Sequence, residues 1–403
     1  MTRIAITGMG AVSAAGFGVP ALWDMARKGR SGISSHDVRR GDSLRVRIAG
    51  NVPDFDPTEF LSSSVLRRCD RYTLFAHMAT QEALQQSGLD PEKLSGQKSG
   101  VIIGTGIGGM NTLDDGCFAF YSGEKRVDPL SIPKLMPSSA TSHISITYGV
   151  TGPCFCVTSA CSSASQSIGV AMMLLRAGIV DRVIAGGSEA CITPATIRAW
   201  EMMRVLSPDA CRPFSMGRNG MIIGEGAGVF VLETEAAMAA RGGEPIAWLS
   251  GYGTSSDARD IIQPDVDGAA AAMTGALADA GLEPSDIDYI NAHGTGTVLN
   301  DVNEAEAIHQ VFGGRAKELP VSSNKSNIGH TLGASGALEF IITINAMLEG
   351  TVPPHINFIE PDPKCDLFLP LDGAQSRPIS AALSNSFAFG GINASLIATA
   401  VDR

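Results

Sequence analysis

The chain repeats a pattern of elements, and this repeat restricts the fold more than any other feature of the sequence. Residues 83–91 and residues 276–284 both read as the end of a helix, each closed by a glycine and followed by a proline three positions later. A β-prone run and a turn rich in glycine and threonine follow each helix end, at 101–109 and at 287–297. Two βαβ-rich halves predict a pseudo-symmetric, layered α/β structure in which equivalent turns meet at one site.

The repeat continues beyond these turns. Residues 157–159 and residues 321–323 are similar β-prone runs, and each precedes an apolar helix. We therefore predict an N-terminal half at 1–245 and a C-terminal half at 246–403. In this arrangement Cys161, in the first half, faces the glycine-rich turns of the second half.

The composition excludes several classes of function. Of the 403 residues, 44% are hydrophobic, which describes a folded protein, and the formal charge of -11 argues against a nucleic-acid partner. The first residues enter a strand directly, and the longest apolar run, 168–175, is far short of the ~20 residues that a membrane span needs. We expect a cytoplasmic protein. The eight cysteines follow neither a disulfide framework nor zinc spacing, so we expect free thiols and no metal.

One cysteine stands in a setting that suits a nucleophile. Cys161 lies in a cluster of small residues between the β-prone run 154–157 and the apolar run 168–175. This order predicts a strand, a tight turn that carries Cys161, and a helix whose positive N-terminal end favours the thiolate and lowers the thiol pKa. The alternative at this point is a buried cysteine that only fills space.

A second glycine motif offers a different function. Gly104, Gly106 and Gly109 match the G-x-G-x-x-G pattern of dinucleotide-binding turns. We reject that function, because no helix-forming run follows at once and no acidic residue ends a following strand at the usual distance. We expect these glycines to allow close backbone packing beside the Cys161 turn, with an irregular segment at 117–137. No cofactor is predicted.

Two histidines in the second half supply what a nucleophilic cysteine needs. His293 ends an apolar strand, and His330 stands five residues after Lys325, ahead of a small-residue helix start. Both lie at strand-to-turn junctions in the half opposite Cys161. The pattern predicts a Cys-His-His site and leaves the other five histidines structural or solvated.

Several motifs together resemble one family. Besides the Cys161 turn, they are Asn-Ala-His-Gly-Thr-Gly-Thr at 291–297, Lys-Ser-Asn-Ile-Gly-His at 325–330, Gly-Glu-Gly-Ala-Gly at 224–228 and the C-terminal run at 384–393. In this order, over the whole chain, they are similar to the elongating β-ketoacyl-[acyl-carrier-protein] synthases of the thiolase superfamily. The resemblance implies a thiolase-like layered α-β-α-β-α fold. It also implies a decarboxylative Claisen condensation of a cysteine-bound acyl group with malonyl-[acyl-carrier-protein].

The resemblance assigns a role to each matching residue. Cys161 would hold the acyl group as a thioester, and His293 and His330 would donate hydrogen bonds to the enolate that forms when the malonyl group loses CO2. Lys325 and Glu304 would form a supporting ion pair. The remaining assignments are the oxyanion hole of the acyl carbonyl (backbone N–H groups of Cys161 and Phe389), the pantetheine contacts (Thr295, Thr297) and the acyl channel (Ile107, Phe389).

The same resemblance implies partners. Substrates would arrive on an acyl carrier protein, and we expect a homodimer, or a heterodimer with a ketosynthase-like partner, in which the second chain closes the acyl pocket. Residues 198–204 and 218–220 look nearest to nodulation-type or polyene-type members, which make unsaturated acyl chains. The basic residues assigned to carrier docking are Arg67, Arg68, Lys125, Arg126 and Arg204.

Single residues argue against related classes. A thiolase would carry a second catalytic cysteine in the closing turn at 389–393, and an initiating synthase would have asparagine at the position of His330. A cysteine protease would need neither His330 nor Lys325. The alternative that we keep is a non-elongating, chain-length-factor-like partner that binds acyl carrier, although that class lacks a cysteine at the position of Cys161.

Overall fold

The computed structural model describes residues 2–36, 38, 40–123 and 127–402. Within these residues most strands join one eleven-stranded sheet, flanked by helices, and two short ribbons lie apart from it. The strands are β1 (Ile4–Ser13), β2 (Gly16–Phe17), β3 (Ser34–Ser35), β4 (Ile48–Ala49), β5 (Ser99–Gly104), β6 (Cys154–Phe155), β7 (Arg182–Glu189), β8 (Gly226–Thr234), β9 (Ala247–Ser256), β10 (Tyr289–Asn291), β11 (Val321–Ser322), β12 (Thr351–Val352), β13 (Gln375–Ser376), β14 (Ala381–Ala388) and β15 (Ile392–Thr399). The α-helices are α1 (Val19–Arg27), α2 (Ser63–Arg68), α3 (Arg71–Ser87), α4 (Met110–Ser122), α5 (Ser131–Leu135), α6 (Ser139–Tyr148), α7 (Ser163–Arg176), α8 (Pro194–Met203), α9 (Glu235–Ala240), α10 (Val266–Ala280), α11 (Val298–Phe312), α12 (Lys325–Ile328) and α13 (Ser335–Leu348).

The large sheet consists of two wings with the same topology. One wing has the order β1-β8-β7-β5-β6 and the other the order β9-β15-β14-β10-β11, and they join where β1 pairs with β9. In each wing the first two pairings are antiparallel and the last two are parallel. The repeat of strand order and direction confirms the predicted pair of pseudo-symmetric halves, whereas the exact boundary between 245 and 246 stays a prediction.

Helices occupy three layers around the two wings. α7 and α13 contact each other between the wings: α7 packs on β5, β7 and β15, and α13 packs on β8 and β14. α3 covers the outer face of the first wing and α10 that of the second. Twelve of the fourteen residues of α13 are buried, as its apolar sequence requires of a helix enclosed on all sides. The result is the predicted α-β-α-β-α fold.

The ends of two equivalent helices confirm the repeat at residue level. α3 ends at Gly88 with φ 59°, and α10 ends at Gly281 with φ 65°. Both residues adopt the left-handed conformation that a glycine accepts without the steric cost of a Cβ atom. The two glycine stops seen in the sequence are therefore real helix ends.

One segment differs from its predicted structure. Residues 117–137, expected to be irregular, contain the end of α4 and all of α5, so the argument that no helix follows the glycine turn is wrong. None of the residues of α4 is buried, and Phe120 and Tyr121 are 69% and 83% exposed, although Met110, Leu113, Cys117 and Phe120 follow one another at helical spacing. The packing expectation does hold at Gly104, where a Cβ atom would lie 2.5 Å from the carbonyl carbon of Ser163.

The described helices include none that combines the length and the apolar character of a membrane span. The eight cysteines are all free thiols, and four of them besides Cys161 are buried.

Candidate active site

Cys161 lies in a tight turn between β6 and α7, as the sequence predicts. Ala160–Ser162 form a 3-10 turn directly ahead of α7, and Ala160 has a φ of 49°, which is strained for a residue with a side chain. The Oγ atom of Ser162 lies 2.8 and 2.7 Å from the carbonyl oxygens of Ser386 and Ile392. These contacts tie the first-half turn to the closing hairpin of the second half and fix the position of the thiol.

The turn that follows His330 repeats this geometry in the second half. Leu332–Ala334 form a 3-10 turn directly ahead of α13, and Leu332 has a φ of 45°. Two strained, non-glycine turns thus precede the two central helices at equivalent places. One presents Cys161 and the other follows His330, so the pseudo-symmetry brings the two side chains toward each other.

The three residues of the predicted Cys-His-His site come together. The Sγ atom of Cys161 is 3.1 Å from Nε2 of His330, and the His330 and His293 ring centroids are 5.3 Å apart. One functional atom from each residue lies within 4.8 Å of the other two. All three side chains are buried, with exposed fractions of 6% for Cys161, 2% for His293 and 1% for His330.

Backbone contacts select the tautomer of His330. The N–H group of Leu332 donates to Nδ1 of His330 at 3.2 Å, and an N–H donor there requires Nδ1 to be the acceptor. The ring hydrogen of neutral His330 therefore sits on Nε2, where it points at the Cys161 sulfur. The backbone N–H of Phe389 is also near enough to lower the pKa of the Cys161 thiol. The Nε2 hydrogen of His330 and the Phe389 N–H therefore both favour negative charge on this sulfur.

The sequence predicts a lowered pKa for the Cys161 thiol, and the structure gives the opposite direction. Burial raises the pKa of Cys161 to about 12, while the Lys325 ammonium and the Phe389 N–H act to lower it. Desolvation thus outweighs the favourable helix N-terminus in the free protein. Burial, followed by the charge of Lys325, holds the pKa values of His293 and His330 well below their usual range. Both histidines are neutral near neutral pH, so they can donate hydrogen bonds without first losing a proton.

The predicted supporting residues Lys325 and Glu304 do not form an ion pair with each other. Lys325 Nζ donates to Glu339 Oε1 at 2.6 Å, and both side chains are fully buried. Glu304 instead accepts the backbone N–H groups of His293 and Gly294, at 2.8 and 2.7 Å. Its two oxygens are occupied by the turn that they hold, so Glu304 orients His293 while Glu339 balances the lysine. Burial raises the pKa of each carboxyl to about 7.

An apolar pocket of about 280 Å3 leads to these residues. The Oγ1 atoms of Thr295 and Thr297, which lie on its wall, are 2.8 Å apart. The ring of Phe389 stacks on Trp200 at 5.9 Å between centroids, with 22° between the planes. Both predicted threonines and Phe389 therefore line the route to Cys161.

The structure separates some predicted residues from this pocket. Ile107 is not among its lining residues and is 38% exposed. Arg204 lines the pocket, whereas Arg67 and Arg68 are exposed at the end of α2, where Arg68 interacts with His143. Lys125 and Arg126, the other two docking predictions, lie outside the described residues.

Glu189 is a supporting residue that the sequence reasoning missed. This buried carboxylate accepts the Thr105 hydroxyl at 2.9 Å and the N–H groups of Gly106 and Gly333 at 2.6 and 3.0 Å. It joins the first-half glycine turn to the turn that follows His330. The available signal was an acidic residue at the end of the apolar strand β7.

Glu339 and Trp200 were also missed as parts of the site. Glu339 is a lone charge within the apolar sequence of α13, and an isolated buried charge needs an opposite partner. Trp200 is a large aromatic residue in the short helix α8, and only its contact with Phe389 reveals its place.

Comparisons with known proteins agree over the full chain. Residues 1–237 match the family model for the N-terminal domain of β-ketoacyl synthases, and residues 246–359 match that for the C-terminal domain. The chain is 42% identical to nodulation protein E of Rhizobium sp. (strain N33) over 395 residues, covering 98% of each protein. It is 40% identical to 3-oxoacyl-[acyl-carrier-protein] synthase 2 of Staphylococcus aureus (strain COL) over 403 residues, covering 98% of this chain and 97% of the relative. A solved structure described as the ishigamide ketosynthase/chain length factor superposes with a TM-score of 0.94 at 32% identity, covering 99% of each chain.

Proposed function

The chain belongs to the β-ketoacyl synthase family, and we propose that it is a 3-oxoacyl-[acyl-carrier-protein] synthase that acts through Cys161, His293 and His330. The observation that carries the assignment is the contact between the Cys161 sulfur and His330 Nε2, with His293 beside it at the inner end of an apolar pocket. A non-elongating partner protein would need no nucleophile in this place.

The first half of the reaction moves an acyl group onto the enzyme. The Cys161 sulfur attacks the thioester carbonyl of the acyl carrier, a new C–S bond forms, and the carrier thiol leaves with the proton that Cys161 gives up. The N–H groups of Cys161 and Phe389 are the proposed donors to the oxyanion. The Phe389 N–H is near enough to the sulfur to lower the thiol pKa, which supports its assignment as a donor beside the carbon that the sulfur attacks.

The second half forms the carbon–carbon bond. The malonyl group loses CO2, and its electron pair becomes an enolate whose oxygen accepts hydrogen bonds from His293 and His330. The carbanion then attacks the Cys161 thioester, and the Cys161 thiolate leaves and takes up one proton from solvent. The products are 3-oxoacyl carrier, CO2 and the free enzyme. Neutral histidines with a fixed tautomer suit this step, because their hydrogens are already directed into the site.

Lys325 supports this chemistry from a distance. Its ammonium lowers the pKa values of both histidines and of Cys161, and Glu339 holds it in place. Glu304 keeps the His293 turn in position through two backbone hydrogen bonds. We assign Lys325, Glu304 and Glu339 as positioning residues.

The acyl carrier protein is the proposed partner at the pocket mouth. The S. aureus relative is named for acyl-carrier-protein substrates, and here the pocket wall offers Thr295 and Thr297 as hydroxyl contacts for a pantetheine arm. Arg204, which lines the pocket and is exposed, is the best-placed basic residue for an acidic carrier. Arg67, Arg68, Lys125 and Arg126 remain predicted contributors.

A second chain is the proposed cover of the acyl channel. The strand order of the first wing ends at β6 within the described residues, and Phe155 on this edge is 38% exposed, as is Ile107. An open strand edge with apolar neighbours favours pairing with another chain. We propose a homodimer, or a heterodimer with a ketosynthase-like chain, and sedimentation of the purified protein alone distinguishes the two.

The pathway is proposed to be a specialised one. The proposal rests on residues 198–204 and 218–220, which resemble nodulation-type or polyene-type members that make unsaturated acyl chains, and Trp200 on the pocket wall would set the chain shapes that fit. A series of acyl carriers that differ in length and in unsaturation tests this point. We place the reaction in the cytoplasm, because eight free thiols suit a reducing compartment.

The decisive experiment supplies acyl carrier and malonyl carrier together and follows the product by mass spectrometry. We expect 3-oxoacyl carrier and, with acyl carrier alone, an acyl group on the peptide that contains Cys161. A Cys117→Ser variant, which removes an exposed thiol on α4, is the matched control and should behave like the parent protein. Absence of both product and adduct would refute the synthase and leave the carrier-binding partner.

A further inference from the structure

A second group of one cysteine and two histidines lies in the first half, outside the pocket described above. It consists of Cys69, His77 and His143. Cys69 follows α2, His77 is in the second turn of α3, and His143 is on α6, which packs against α3. One potential ligand atom from each residue lies within 4.8 Å of the other two. The sequence spacing hides this group, because three different elements contribute to it.

Cys69 and His77 are buried, and each has an atom that is available to bind a metal. Cys69 is 6% exposed and forms no disulfide, so its sulfur is available. His77 is 2% exposed, and its Nε2 atom has no hydrogen-bond partner among the described residues. A buried polar atom without a partner costs free energy, and coordination to a cation would recover it. The His77 and His143 ring centroids are 6.2 Å apart.

His143 lies beside backbone and has a route to solvent. The backbone of Arg68 is next to its ring. Histidine ligands of metals are commonly oriented by a neighbouring carbonyl. The ring is half-buried, so a cation has an entry path from the surface.

We propose that Cys69, His77 and His143 form a three-ligand site for a divalent cation of the Zn2+ type. Thiolate and imidazole are the ligands that Zn2+ prefers, and three protein ligands leave a fourth position for water. At Zn–N and Zn–S distances of about 2.0–2.3 Å, tetrahedral ligand atoms lie roughly 3.3–3.6 Å apart, so any ligand atoms of this group that are farther apart than this would move together on binding. The half-buried His143 ring is the member that can move most easily.

The local charges allow this binding. On coordination the Cys69 thiol loses one proton to solvent and supplies a negative charge. The Asp70 carboxylate adds a second negative charge nearby, while Lys134 is paired with Asp128 at 2.6 Å. Arg68 is the remaining cation near His143, and its side chain is exposed to water. A bound cation would tie the end of α2 to α3 and α6.

The test uses Co2+ as a spectroscopic probe in the full chain with Cys161→Ala, which removes the thiol of the other Cys-His-His group. We expect one Co2+ per chain with thiolate-to-cobalt charge-transfer absorption. Adding Cys69→Ser should abolish this absorption, whereas adding Cys117→Ser should preserve it. Absence of the absorption in the parent variant, or its persistence without Cys69, would overturn the site.

A second variant guards against a folding defect at the buried Cys69 position. His143→Gln changes a half-buried residue, and its fold is checked by circular dichroism without metal. We expect Zn2+ affinity, measured by competition with a chromophoric chelator, to fall by about tenfold or more. We also expect Zn2+ to raise the thermal unfolding midpoint of the Cys161→Ala protein but not of the His143→Gln double variant. A folded His143→Gln protein that binds Zn2+ as tightly as its parent would overturn the proposal.

Discussion

Among the described residues, two groups are made of one cysteine and two histidines, and their surroundings are different. Cys161, His293 and His330 come from turns of both halves and end an apolar pocket. Cys69, His77 and His143 come from neighbouring helices of the first half. At the first group the His330 Nε2–H points at sulfur, and the Phe389 N–H and the charge of Lys325 both lower the thiol pKa. At the second, His77 Nε2 has no hydrogen-bond partner in the part of the chain that the structure describes.

This difference shows that residue types alone do not set the chemistry of a cysteine. Burial raises the thiol pKa to about 12 at both Cys161 and Cys69. Donors aimed at the Cys161 sulfur stabilise negative charge as it develops during attack, and the pocket delivers a substrate to it. At Cys69 a bound cation is the group that would stabilise the thiolate. Variants of the two groups should therefore fail in different assays.

The largest effect is expected from removal of the nucleophile. Cys161→Ala should lower condensation by about 10^4-fold or more, because the acyl group has no other attachment point. The same protein should still decarboxylate malonyl carrier, since both histidines remain. Cys69→Ser should keep condensation within an order of magnitude. Product mass spectrometry measures condensation, and CO2 release measures decarboxylation. A comparable loss of condensation in Cys161→Ala and Cys69→Ser would contradict the different roles of the two groups.

The next effect concerns the enolate donors. His293→Ala should lower the rate of malonyl decarboxylation by about 10^2–10^3-fold, the usual cost of losing one oxyanion donor. Acyl transfer to Cys161 should be affected much less, because that step uses backbone donors. His143→Gln, from the second group, is the comparison variant and should lose less than about tenfold. Equal losses in the two variants would argue for a general folding defect.

Removal of the buried lysine should change the pH dependence of the first group. Lys325 lowers the pKa values of His293 and His330, so Lys325→Met should raise both. Protonation of His330 removes the lone pair with which Nδ1 accepts the Leu332 N–H. Because the pKa is raised in the variant, the acid limb of the decarboxylation profile should move to higher pH. The rate at neutral pH should change much less than the rate on the acid limb, because burial, the larger cause, still holds both pKa values below their usual range.

A double variant separates charge from stability in this experiment. Lys325→Met alone leaves Glu339 buried without its partner, at a cost of about 3–5 kcal/mol in unfolding free energy. Adding Glu339→Gln should recover most of that stability but should leave the acid limb displaced, since the lysine charge is still absent. An acid limb that returns to its parental pH with the double variant would show that Lys325 acts only through folding.

The smallest effect is expected at the carrier surface. Arg67→Glu and Arg204→Glu should each raise the apparent KM for carrier-bound substrate by roughly three- to tenfold, as charge reversal at an interface rim does. A small pantetheine thioester should be used as well as before. Lys317→Glu changes the net charge equally at an exposed site on another face and serves as the control. A rise in KM that is the same for both substrates would place the two arginines outside the docking surface.

The amount that the sequence reveals differs between parts of the site. Cys161, His293 and His330 are recognisable because each stands at a strand-to-turn junction among small residues, which is a local pattern. The partner of Lys325 is not recognisable in this way, because Glu304 and Glu339 both lie on helices at similar separations in the chain. Only the packing of α13 under the site brings Glu339 to the ammonium. The helix α4 is different, because Met110, Leu113, Cys117 and Phe120 stand at helical spacing and its sequence did contain the signal of a helix.

The repeat of elements and the small residues around Cys161 determined the two-winged fold and the place where the two halves meet. They did so because glycine stops, strand runs and turn residues act over a few positions of the chain. The tertiary structure alone decided the charge partners, the tautomer of His330 and the direction of the thiol pKa. These depend on burial and on donors that are distant in sequence, such as the Phe389 N–H at Cys161. The tertiary structure likewise decided the grouping of Cys69, His77 and His143, since only the packing of α3 against α6 brings them together.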